Sequence, residues 1–310
     1  MNSKIIEEIN NLKKKKNAVI LAHCYQNIEI DEVADFVGDS LYLSQMAAKT
    51  EADIIIFAGV YFMAQTAKIL NPSKKVILPN KNAGCDMADM INLNQLREFK
   101  SKHPDIPVVC YINSTAEVKS ECDICCTSSN AVEIVKSLNA PEVLFIPDKN
   151  LGRWVEKELG NVKVVTYDGC CPIHNDFKIK DLLATKREYP AATVLAHPEC
   201  REEFLSGADF VGSTTGIMNY VKNSSKKEFI IATEKGVTER LKRDYPHKQF
   251  HSICNKPVVC PSMKLNSLED IYNSLKNETT EIEVNKEISD KAKKCINRML
   301  EVSKKCPTKA

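Results

Sequence analysis

Val19-Ile20-Leu21-Ala22-His23 returns 174 positions later as Thr193-Val194-Leu195-Ala196-His197, and that return decides the fold. Each run is apolar and of strand length, the pattern of a parallel strand covered on both faces. The echo keeps its register: Ala34-Asp35-Phe36-Val37-Gly38 recurs as Ala208-Asp209-Phe210-Val211-Gly212. About midway lies a third copy, Pro107-Val108-Val109-Cys110-Tyr111 followed by Cys122-Asp123-Ile124-Cys125-Cys126, so that Asp35, Asp123 and Asp209 share one frame. Self-similarity at a fixed spacing marks duplicated units, and three copies of this size make pseudo-symmetric domains and not a solenoid.

Every copy follows one plan. The first strand ends at His23, Tyr111 or His197, and a hydroxyl follows 17 residues later at Ser40, Ser128 or Thr214. That hydroxyl is read as the N-cap of a helix (41–49, 131–138, 216–222), because its oxygen accepts from the free amides of the first turn. A second strand (54–58, 143–146, 229–232), a helix (63–70, 151–159, 237–243) and a third strand (76–78, 162–166, 249–253) complete the unit. This alternation is the βαβ signature of a parallel sheet. The expected architecture is therefore three Rossmann-like, three-layer α/β domains, at 1–86, 87–172 and 173–266. Two closing helices, near 267–276 and 288–304 within 267–310, are expected to pack back on the first.

Composition narrows the function. The 310 residues carry a formal net charge of +2, with 43% hydrophobic and 27% charged residues. This is an ordinary globular balance without the concentrated basic face that nucleic-acid binding requires. The run Lys13–Lys16 is read as a solvated helix end. Met1–Glu8 has acids where a secretory core would be apolar, and no stretch reaches the roughly 18 apolar residues of a membrane span. A cytoplasmic protein with no membrane partner is expected.

Thirteen cysteines, an odd number irregularly spaced, argue against a disulfide framework and for thiols with metal or redox work. Counted from the copy's hydroxyl, Cys85 falls at 45, Cys171 at 43 and Cys260 at 46, which makes these three equivalent. Cys170 at 42 and Cys254 at 40 are the rivals. The lone C-x2-C pair, Cys122 and Cys125, falls where the other copies have a buried strand and is read as core; Cys110, Cys200, Cys295 and Cys306 are read as buried or incidental thiols. Three thiolates converging on one axis need a cation. Zinc normally takes a fourth protein ligand, whereas a [4Fe–4S] cluster on three cysteines keeps one iron open to act as a Lewis acid.

Strand ends supply the groups around that iron. His23 and Tyr25, Tyr111 and Asn113, and His197 and Glu199 are pairs two residues apart, so each pair points to one side of an extended chain. His174 joins them from its place three residues after Cys171. Ser40, Ser128 and the pair Ser213/Thr214 stand at expected helix N-termini, where free amides favour anions, and Gly38, Gly212 and Gly216 are expected to let a ligand near the backbone. A substrate with several negative groups, carboxylates and a phosphate, is implied.

These residues resemble one family, quinolinate synthase. The resemblance is carried by Ala22-His23-Cys24-Tyr25-Gln26, Gly38-Asp39-Ser40, Asn82-Ala83-Gly84-Cys85, Tyr111-Ile112-Asn113-Ser114, Pro147-Asp148-Lys149-Asn150-Leu151-Gly152, Gly169–His174, His197-Pro198-Glu199-Cys200, Gly212–Gly216 and Cys260-Pro261-Ser262-Met263-Lys264, in order along nearly the whole chain. Departures are small: Tyr167 where the family commonly has Trp, and Gln65 where it usually has Glu. The resemblance implies a transferase of NAD biosynthesis that condenses iminoaspartate with dihydroxyacetone phosphate to quinolinate, releasing phosphate and water. It further implies three α/β domains around a central [4Fe–4S] cluster held by Cys85, Cys171 and Cys260, the Gly-x-Cys-x-x-His pattern selecting Cys171 over Cys170. On that basis Glu199 is expected as principal base, with His23, Tyr25, Tyr111, His174 and His197 relaying protons. His23, Tyr111, His197 and Glu199 also belong to the expected substrate-binding set, in which Asn113, Ser40, Ser128, Ser213 and Thr214 hold carboxylate and phosphate oxygens. Unstable iminoaspartate leaves transient contact with the enzyme that produces it open. Two other classes stay open too: a different iron–sulfur hydro-lyase with the same three cysteines, and a non-enzymatic redox or metal sensor.

Overall fold

The computed structural model describes residues 2–305; Cys306 lies outside them. The first unit runs α1 (Asn2–Lys15), β1 (Ala18–His23), β2 (Phe36–Gly38), α2 (Ser40–Lys49), β3 (Ile54–Ala58), α3 (Tyr61–Leu70) and β4 (Lys75–Ile77). The second runs α4 (Leu93–Ser101), β5 (Val108–Tyr111), α5 (Ala116–Lys119), β6 (Ile124–Cys126), α6 (Ala131–Ser137), β7 (Glu142–Ile146), α7 (Lys149–Leu159) and β8 (Lys163–Thr166). The third runs α8 (Pro172–Asn175), α9 (Ile179–Glu188), β9 (Thr193–Ala196), α10 (Glu202–Leu205), β10 (Phe210–Val211), α11 (Thr214–Asn223), β11 (Glu228–Ala232), α12 (Lys235–Asp244) and β12 (Gln249–Ser252). Helices α13 (Leu268–Asn277) and α14 (Lys286–Lys305) close the chain.

The three sheets have the same strand order, β2-β1-β3-β4, β6-β5-β7-β8 and β10-β9-β11-β12, and every pairing is parallel. The expected α/β class and three Rossmann-like domains are present. Alternation along each strand explains the layers. In β1, Val19 and Leu21 face a core shared by all three units, while Ile20 and Ala22 face an outer layer with Ile9 of α1 and Ile271 and Leu275 of α13. In the third unit Val194 and Ala196 face Leu182 and Phe204 on α9 and α10. No helix among the described residues is long and apolar enough to cross a membrane.

The shared aspartates show why the repeat is legible. Asp35, Asp123 and Asp209 each accept from a backbone N–H of the neighbouring strand, that of Ile20, Val108 or Val194, at 2.8, 2.7 and 2.8 Å. Each also donates its own amide back to the same residue's carbonyl, at 2.9, 3.1 and 2.9 Å. A carboxylate thus closes the β1–β2 corner identically three times. Asp123→Ala is expected to cost about 1 kcal/mol, the net value of such a bond; urea unfolding measures it, and an unchanged midpoint would refute the corner's role.

Three expectations about element ends are corrected. Ser40 and Thr214 are the first helical residues, and the caps are their predecessors, Asp39, accepting from Tyr42 N–H, and Ser213, accepting from Gly216 N–H. Ser128 precedes α6 by three residues, with Asn130 in the cap position. At Gly38 and Gly212 an added Cβ would lie 2.4 Å from the Tyr42 ring and 2.6 Å from the Phe210 ring, so these glycines make room for their own turn's aromatic and not for a ligand. Of the closing helices, α13 lies on α1 and β3 of the first unit, but α14 runs chiefly along α5, β6 and α6 of the second and meets the first at α3. Its stripe of Ala292, Cys295, Ile296 and Met299 is apolar, and the second sheet's outer face needs that cover.

Candidate functional site

The carboxyl ends of all three sheets open into one chamber, where open parallel sheets put their ligands. Cys85, Cys171 and Cys260 all line it, each from the loop after its unit's last strand. One backbone contact defines their equivalence. The first residue of the preceding helix, Tyr61, Lys149 or Lys235, donates its N–H at 2.8 Å to the carbonyl two positions before the cysteine, that of Ala83, Gly169 or Val258. The rivals are elsewhere: Cys170 meets Met90 through its amide, and Cys254 is exposed. Cys125 is buried in β6 with its Sγ 3.2 Å from Cys295 Sγ on α14, and Cys122 Sγ donates to Val118 O at 3.1 Å. The C-x2-C pair is part of the packing between α14 and the second sheet.

Burial raises all three chamber thiols. Cys85 is pushed up to about 12, Cys171 goes up with Glu199's charge adding to the burial, and Cys260 also rises. Thiolates therefore form here only against a cation, and three soft donors from three units suit an iron–sulfur cluster. Cys171, His174 and Glu199 also offer ligand atoms within 4.8 Å of one another, a smaller set able to hold a single ion.

A hydrogen-bond chain crosses the chamber wall. Tyr25 Oη lies 2.8 Å from Thr233 Oγ1, which lies 2.9 Å from His174 Nε2. His174 Nδ1 lies 2.6 Å from Glu199 Oε2, and Tyr111 O–H donates to Glu199 Oε1 at 2.6 Å. His197 Nδ1 stands 3.5 Å from the same carboxylate, and its Nε2 is 3.2 Å from Ser128 Oγ. Burial alone would raise the Glu199 carboxyl, but His197 and His174 facing it, with the bonds from His174 and Tyr111, hold it below the usual carboxylate range. The residues expected here, from all three units, are thus brought together.

His23 behaves differently from a base. Its Nδ1 accepts from Tyr25 N–H at 3.1 Å, which leaves Nε2–H as a donor. Burial, then the positive Arg240 and Lys264, lower it to about 3. His197 is also lowered to about 3, by burial, with Glu199 opposing and His174 adding. Both rings are neutral when folded and titrate near 6.5 when unfolded. Between pH 6.5 and about 3 the unfolded chain binds protons that the folded chain does not, so stability falls as pH drops through that window. Glu199 acts in the same direction lower down, contributing stability above 4.5 that is lost as pH falls below it. In cluster-free protein, unfolding free energy should fall by up to ~1.4 kcal/mol per pH unit for each histidine. His23→Asn should flatten the profile between pH 6 and 5, and a wild-type profile already flat there would contradict the buried neutral rings.

The helix ends are less free for anions than the sequence suggests. Asp39 fills the start of α2, with Oδ1 accepting from Tyr42 N–H at 2.9 Å and Oδ2 from Ser129 O–H at 2.6 Å. Ser213 lines a neighbouring cleft and not the chamber, its hydroxyl capping α11. Ser40, Ser128 and Thr214 remain on the chamber wall, and Asn113, also on it, carries a buried Oδ1 with no partner. Among the described residues no lysine or arginine lines the chamber.

Sequence reasoning missed four polar groups. Thr233 links Tyr25 to His174, Asn150 Nδ2 holds Glu199 O at 3.0 Å, and the fully buried Asp148 and Glu234 cap α7 and α12. All follow the third strand of their unit, β7 or β11, so the repeat frame that found the cysteines could have found them.

A model of the family described as "Quinolinate synthetase A protein" matches residues 7–301. The chain is 48% identical over 298 residues to a quinolinate synthase of Alkaliphilus metalliredigens, covering 96% of this chain and 98% of the relative. It is 50% identical over 299 residues to quinolinate synthase 2 of Methanosarcina acetivorans, covering 96% of each, and 47% identical over 302 residues to a quinolinate synthase of Aquifex aeolicus, covering 96% and 94%.

Proposed function

The chain belongs to the quinolinate synthetase A family, and from that membership and the chamber's donor set we propose that it condenses iminoaspartate with dihydroxyacetone phosphate to quinolinate, with release of phosphate and water. The single observation carrying this reading is that the proton chain from Tyr25 to Tyr111 and the three equivalent thiols line one chamber. Cys85, Cys171 and Cys260 would hold a [4Fe–4S] cluster, which when bound would supply Lewis acidity to the chamber.

The chain's own groups do the rest. Joining these substrates into a pyridine ring requires carbon–carbon bond formation, loss of phosphate, imine closure and loss of water, so protons move at several atoms. Glu199 and His174 act as one proton-accepting unit, and Tyr111 and Tyr25 return protons from its two ends. The neutral His23 and His197 donate through Nε2–H and polarise substrate oxygens. Ser40, Ser128 and Thr214 hold carboxylate and phosphate oxygens, and the orphaned Asn113 Oδ1 accepts a substrate N–H or O–H. Twelve described cysteines are free, which suits a reducing cytoplasm.

The test uses protein purified without oxygen, assayed for iron, sulfide and zinc and then supplied with freshly generated iminoaspartate and dihydroxyacetone phosphate. About four iron and four sulfide per chain, with quinolinate and inorganic phosphate formed one to one, is the expected result. Intact cluster without quinolinate would overturn the assigned reaction. Zinc lost on replacing His174 would move the metal to the Cys171–His174–Glu199 set.

A further inference from the structure

The two buried carboxylates at the starts of α7 and α12 have a second contact that capping does not require. Asp148 Oδ1 accepts the cap bond from Leu151 N–H at 2.7 Å, and its Oδ2 accepts from Cys171 N–H at 2.9 Å. Glu234 Oε2 accepts the cap bond from Gly236 N–H at 2.6 Å, and its Oε1 receives Cys260 N–H at 3.4 Å and Lys264 Nζ at 3.3 Å. The positions are equivalent, each immediately before the helix residue whose amide holds the carbonyl two residues ahead of the cysteine. Backbone and side chain thus grip each cysteine loop at two points. The first unit keeps the backbone grip but has Val60 at the cap, with no side-chain acceptor to offer Cys85.

We infer that Asp148 and Glu234 are positioning residues for the Cys171 and Cys260 thiols, and that Cys85, in the unit lacking such a carboxylate, is the less constrained of the three ligands. The inference rests on the proposed three-cysteine ligation. Its physical content is that a thiolate bound to metal needs its backbone fixed, and outer-shell partners supply that fixation. Two different acids reach the same amide from the same place in the fold, a convergence that helix capping alone does not demand, since Ser, Thr or Asn would cap as well.

Asp148→Asn and Glu234→Gln are the informative variants. Each keeps one oxygen for the cap bond and turns an –NH2 group toward the cysteine amide, where two donors oppose each other. Cluster-free protein is examined first, by amide hydrogen exchange. Exchange in 169–171 should rise on the order of tenfold in Asp148→Asn with 258–260 unchanged, and the reverse should hold in Glu234→Gln, the factor of one lost hydrogen bond. In the loaded protein, iron loss to a chelator should quicken on the order of tenfold in each variant, with an altered electron paramagnetic resonance line shape in the reduced state. Exchange rising uniformly along the chain would reveal a merely structural role and overturn the inference, as would unchanged exchange at both loops. If the unsubstituted chain assembles no cluster, the proposed cofactor fails on that measurement, while the exchange data still decide whether these carboxylates fix the loops.

Discussion

Alanine at Cys85, Cys171 or Cys260, one at a time, is expected to abolish quinolinate formation and to remove iron and sulfide together, leaving a folded chain. The magnitude is total because the units contribute one thiol each and, among the described residues, no fourth cysteine lines the chamber. Cys170 is not on the chamber lining, its backbone amide meeting Met90 Sδ, and Cys254 is exposed outside it. The fold should survive. The three cysteines are only partly buried, and the shared core lies among strands and helices behind them. Circular dichroism with iron analysis separates the two effects. Retention of a full cluster in any of the three variants, or its loss in Cys122→Ala, would remove the repeat argument for the ligand set.

Glu199→Gln is the second large effect. The carboxylate receives Tyr111 O–H and His174 Nδ1–H on separate oxygens, each at 2.6 Å. Glutamine keeps one acceptor and presents an –NH2 group to the other donor, so the chain between Tyr111 and Tyr25 is cut at its centre. Loss of a positioned proton acceptor is worth roughly 10²–10⁴ in kcat, with iron content unchanged because Glu199 is not among the proposed ligands. Normal turnover by a variant with full cluster would exclude Glu199 from proton transfer.

Much of this site could be read from the sequence because the repeat supplies an internal ruler. Three strands of one pattern located the sheets, and counting from them located the three cysteines now found on one chamber. What escaped was contact between residues far apart in sequence, within a unit as well as between units. Ser40 and Asp39 are adjacent and both cap helices well, so pattern alone could not choose between them; the Asp39–Ser129 bond across units favours the acid. Asp148 and Glu234 act on loops 23 and 26 residues further along, a separation that no local propensity records. The stripe on α14 announced that the helix packs but not on which sheet, since the outer faces of the first and second sheets are both apolar.

A threefold scaffold carrying an unsymmetrical set of side chains has a further consequence for how the molecule can be altered. Each strand-end pair has diverged, to His23 and Tyr25, Tyr111 and Asn113, His197 and Glu199, while the corner aspartates and the backbone grip on the cysteine loops have not. Architecture and chemistry therefore occupy separate residues of the same repeat. Such a division gives a chain room to exchange reactive groups without rebuilding its frame, and it makes the three units natural cassettes: a strand-end residue transplanted from one copy to another should find the backbone it left.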